Sequence, residues 1–64
     1  MRGETEIEMV RRHVREGERH VAIQKSILDD LAAAGRPTDL AKKLLAEFEE
    51  TLAQHRAHLA RLET

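Results

Sequence analysis

Cysteine, tryptophan and tyrosine are all absent, and Phe48 is the only aromatic residue besides the histidines. Without cysteine there is no disulfide staple and no thiolate metal site. With a single phenylalanine there is no platform on which nucleic-acid bases could stack. No stretch approaches the roughly 20 consecutive apolar residues of a membrane span. Neither charge sign dominates: 11 basic and 12 acidic residues leave a net charge of -1, although 36% of the chain is charged. That balance argues for a densely charged soluble surface with no bias toward nucleic acid or acidic lipid. The opening segment MRGETEIE is acidic and has no apolar run, so it does not read as a signal peptide, and the cytoplasm is the expected location. Ser26 is the only serine and has no histidine placed to activate it, and neither Glu-x-x-His nor His-Glu-x-x-His occurs. An enzyme is not expected.

What is present is helical periodicity. At 64 residues the chain makes one domain, residues 1–64, with a small core of the kind that usually needs a staple, a metal or a partner. Thr5-Glu6-Ile7-Glu8 spells a capping box, and Glu4, Glu6 and Glu8 suit the positive end of a helix dipole. An apolar pattern then runs from residue 6 to about 34. Gly35 is suited to the left-handed conformation that ends a helix, and Pro37 cannot continue one. Thr38 or Asp39 can cap a second helix, about 39–62. Two rods joined by a turn at 35–38 predict an all-α fold, an antiparallel two-helix hairpin.

The seam can be read off directly. Ile7, Val10, Val14, Gly17, Val21, Gln24, Leu28 and Leu31 recur at alternating spacings of three and four, as do Ala41, Leu45, Phe48, Leu52, His55, Leu59 and Leu62. These are the core positions a and d of a heptad. Folding the chain about the turn sets e against e: Arg11 near Glu63, Glu18 near Arg56, Lys25 near Glu49, three pairs of opposite charge. It sets g against g: Ile27 near Leu44, His20 near Thr51, His13 near His58. In the core it places Gly17 opposite His55 and Gln24 opposite Phe48, so Gly17, Gln24, Phe48 and His55 are expected to set packing and register.

The g side is too apolar to remain in water. Met9, His13, His20, Ile23, Ile27, Leu44, Thr51 and His58 are therefore the expected interface of a homodimer, two hairpins closing a four-helix bundle. The role that fits is a non-enzymatic protein-interaction or regulatory module.

Two other classes compete. All four histidines fall at a, d or g, which chance would give about 3 times in 100. His55 and His58, three apart on one helix face, with His13 or Glu16 as a third donor, would make a divalent transition-metal site. The bland alternative is four half-buried imidazoles, each with one nitrogen hydrogen-bonded. Either way, protonating interface histidines below about pH 6 should weaken assembly, since charge must be desolvated. The second competitor is RNA. Arg11, Arg12, Arg15 and Arg19 form a basic strip, as on dimeric hairpins that bind structured RNA, but Glu8, Glu16 and Glu18 interrupt it and favour a solvated, salt-bridged face.

One resemblance spans residues 13 to 62. Gly17, Glu18, Arg19, His20 and Gln24, followed by Phe48, Glu49, Glu50, His55 and His58, resemble the pattern of a group of short helical-hairpin proteins of alphaproteobacteria, rhizobia and their relatives above all. The resemblance implies a bacterial, helical, dimeric protein. It carries no activity across.

Overall fold

The structure is a computed structural model that describes residues 3–64; Met1 and Arg2, the first residues of the acidic opening segment, lie outside it. The described chain is two helices and the turn between them: α1 (Glu6–Ala33) and α2 (Asp39–Glu63). No helix of the described residues is long and apolar enough to cross a membrane.

The start of α1 is built as its residues require. The Glu8 N–H donates to Thr5 Oγ1 at 3.2 Å, and the Thr5 N–H donates back to Glu8 Oε1 at 3.1 Å. Two free amides of the first turn are thereby satisfied at once. The end of α1 is closed by Gly35 at φ 68, the one positive φ among the described residues. Its N–H donates to the Ala32 carbonyl at 3.1 Å and the Arg36 N–H to the Leu31 carbonyl at 2.9 Å. This is the Schellman arrangement, and a side chain at residue 35 would be strained there. At α2 the expected cap is not made. Thr38 occupies the N-cap position, but its backbone sits at φ -114, ψ 0 and its hydroxyl makes no capping bond. Asp39 is already inside the first turn, where it acts on the helix dipole alone.

Every seam residue of both helices is buried or half-buried, and Val10, Gln24, Ala41 and Leu52 are the most enclosed. Two of the three e-side ion pairs close: Arg11 Nη2 to Glu63 at 3.0 Å and Arg56 Nη2 to Glu18 at 3.1 Å. Lys25 and Glu49 share a groove without closing to an ion pair. All of these side chains are exposed, so they select an alignment more than they stabilise it.

The core layers differ from the expected ones by one step of three residues. Gly17 faces Leu52, whose Cδ1 lies 3.0 Å from where a Cβ would stand, and not His55. Gln24 does not rest on Phe48 alone; its Nε2 donates to the Ala41 carbonyl at 3.2 Å. His13 meets His55 in place of His58, and His20 meets Phe48 while sharing a hollow with Thr51. The reason lies in chain direction. With g facing g, two d residues at one level would crowd the same side of the seam and leave the other side empty. Pairing d with a places one side chain on each side, and Gly17 with Leu52 is such a pair.

The hairpin is thin. Its extents are 50 × 24 × 13 Å, one helix deep. Its radius of gyration is 15.0 Å, against about 11 Å for a compact domain of this length.

Candidate interaction face

One broad face of the hairpin is formed by the g positions of both helices and the c positions beside them. Its character changes along the rods. Near the turn it is aliphatic: Ile23, Ile27 and Leu40 are 51%, 44% and 69% exposed, with half-buried Leu44 between them. Leu40 was not among the residues expected from sequence. It lies one helical turn before Leu44 on the same face, and that i, i+4 spacing was the signal.

The middle of the face belongs to the histidines. At Gly17, which has no side chain, the surface opens into a hollow of ≈ 200 Å³. His13 and His55 meet across it, ring centroids 4.9 Å apart and tilted by 49°. Glu16, His20, Phe48 and Thr51 complete the rim. A shallower hollow of ≈ 260 Å³ adjoins it toward the turn, bounded by His20, Ile23, Gln24 and Phe48. His20 packs on Phe48 with centroids 5.7 Å apart, so its imidazole serves partly as an aromatic wall.

Toward the open end lie half-buried Met9 and His58. His58 Nε2 is 3.5 Å from Glu6 Oε2. Of the four candidate metal donors, His13 and His55 are therefore brought together, while His58 is turned to the first turn of α1. Glu16 lines the hollow, but its Oε1 accepts from Arg12 Nη1 at 3.1 Å. Among the described residues no three metal-binding side chains converge. Within one chain the donor set is at most a pair of imidazoles beside a carboxylate already held by a guanidinium.

The basic strip is likewise half occupied. Arg11 is paired with Glu63. Arg12 holds Glu4 through two bonds, of 2.9 and 3.1 Å, and Glu16 through a third. Those bonds, first to Glu4 and then to Glu16, push the Arg12 guanidinium further up from its ordinary range, and the bond to Arg12 holds the Glu4 carboxyl below its own. Glu8 is also lowered, first by the Thr5 hydroxyl and then by the Thr5 N–H. An arginine so engaged offers little to a phosphate.

The opposite face carries a wider groove of ≈ 450 Å³ above Val21, Ala22 and Leu52, rimmed by Glu18, Lys25, Glu49 and Arg56. Its rim alternates in sign and belongs to the e-side pairs, so it selects no one kind of ligand.

No protein-family model, curated protein or solved structure matches the chain.

Proposed function

We propose that this protein is a self-associating, non-catalytic interaction module: a second copy covers the isoleucine-and-histidine face and closes a four-helix bundle. The observation that carries this reading is the thinness of the hairpin. A stable domain needs two packed layers around a core, and one hairpin is a single layer. Its accessible surface is 5046 Å², about 900 Å² more than a compact monomer of 7.3 kDa exposes. About 800 Å² is what each partner buries in a standard interface. On one face Ile23, Ile27 and Leu40 are large apolar side chains left 51%, 44% and 69% exposed. Hydrophobic residues scattered singly on a surface need no explanation, but a contiguous patch beside hollows does.

Native mass spectrometry of untagged protein prepared without chelators tests this directly. The expected species has twice the 7.3 kDa chain mass. A folded species of single chain mass at micromolar concentration would overturn the reading. The same spectrum reports the metal reading, whose favouring observation is the His13–His55 approach of 4.9 Å. A stoichiometric transition metal lost on His55→Ala would make that pair a ligand set shared between copies.

A further inference from the structure

Taking the proposed dimer as its basis, we infer that the two hairpins dock with their turns at the same end, so that α1 of each copy lies over α2 of the other. A two-fold axis can bring this face onto its copy in two ways. An axis along the rods keeps the turns together. An axis across the rods sends them to opposite ends and stacks each α1 on the other α1.

The gradient along the face decides between them. Gly17 stands level with Leu52, which fixes the height of every residue on one helix against the other. With turns together, Ile27 of one copy falls over Leu44 of the other, and Ile23 over Phe48. The exposed aliphatic side chains thus cover one another. Glu16 falls at the height of Thr51 and His55, polar against polar. With turns opposite and full overlap, Ile23 falls over Glu16, whose carboxylate is bonded to Arg12 and half exposed. Ile27 falls near His13, and Leu44 near His58, which is 3.5 Å from Glu6. That arrangement buries ionic groups beneath aliphatic ones with no new partner, and such desolvation is unfavourable. Sliding the copies until the aliphatic ends overlap would avoid the clash of chemistry. It would leave the half-buried Met9 and His58 end of each face uncovered.

The experiment uses the absence of cysteine. Arg36→Cys places one thiol in the turn, at an exposed residue whose side chain makes no hydrogen bond or ion pair among the described residues. A nitroxide is attached there, and the inter-label distance is read by double electron–electron resonance, with circular dichroism as the check on folding. Turns together predict a distance under about 25 Å, since packed helix axes lie roughly 10 Å apart. Turns at opposite ends of a 50 Å rod predict a distance near that length, and the slid arrangement about 30 Å or more. A dimer with either longer distance overturns the orientation and leaves the dimer standing. No dipolar signal together with a single-chain mass overturns both.

Discussion

Replacing Gln24 with leucine tests what a buried amide does in this seam. Gln24 is 7% exposed and is the only buried polar residue among the described ones. Its Nε2 donates to the Ala41 carbonyl at 3.2 Å. That carbonyl also lies within α2, where it accepts from the Leu45 N–H in the ordinary helical pattern. Removing the amide therefore orphans nothing. The loss is one neutral hydrogen bond, about 0.5–1.5 kcal/mol net. The gain is a fully buried leucine of similar shape, about 1.5–3 kcal/mol. The balance favours Gln24→Leu by about 1–2 kcal/mol. For a domain of this size that raises the melting temperature by roughly 5–15 °C. The assay is thermal unfolding followed by circular dichroism, with both proteins at the same concentration, because the proposed self-association would make the midpoint concentration-dependent. A second readout follows from what the amide recognises. A leucine packs as well one layer up or down the seam, whereas Gln24 has one carbonyl to reach. The variant should therefore show extra amide cross-peaks in a nitrogen–proton correlation spectrum. A melting temperature at or below that of the wild type would refute the reasoning. It would mean the amide contributes more than a neutral hydrogen bond, or that the layer has no room for the branched side chain.

Three further outcomes follow from the same geometry. Gly17→Leu should lower stability by about 1–3 kcal/mol in urea unfolding, because its Cβ would already stand 3.0 Å from Leu52 Cδ1 and its further atoms would force the helices apart; Gly17→Ala, which asks Leu52 to yield only a few tenths of an ångström and gains helix propensity, should change stability little. The Glu8 carboxyl, held down by the Thr5 hydroxyl and N–H, titrates below its ordinary value of 4.5. Its folded value is depressed, so its contribution is fully present above pH 4.5 and is lost as the pH falls through the lower folded value. An NMR titration should show the Glu8 side chain protonating late and the first-turn amides exchanging faster as it does, and Thr5→Ala should weaken both effects, since it removes the hydroxyl and keeps the backbone N–H. Ile27→Glu places a carboxylate in the aliphatic end of the face, and sedimentation should then report a single chain at concentrations where the proposed dimer is expected of the wild type.

The helices were legible in the sequence because what makes them is local. The capping box of α1, the left-handed Gly35 and the spacing of three and four depend on residues within two turns of one another, and each appears where the letters place it; the cap expected at Thr38 or Asp39 does not form. The seam follows from the same periodicity. Arg11–Glu63 and Glu18–Arg56 were legible as well, since opposite charges at matching heptad positions allow few alignments. The fine layering was not legible. Whether Gly17 meets His55 or Leu52 depends on how two rods running in opposite directions interleave their side chains, and no single helix carries that information.

The candidate site shows the same division. The g-side face, with its histidines and isoleucines, was determined by the sequence, because helical spacing alone assigns residues to a face. Only the tertiary structure decided what those residues do to each other. It set His13 against His55, gave His58 to Glu6, and tied Glu16 to an arginine that also grips Glu4. The physical reason is reach. A residue's face is fixed by a rotation of 100° per residue along its own helix. Its partner is fixed by side chains long enough to choose among several neighbours on another.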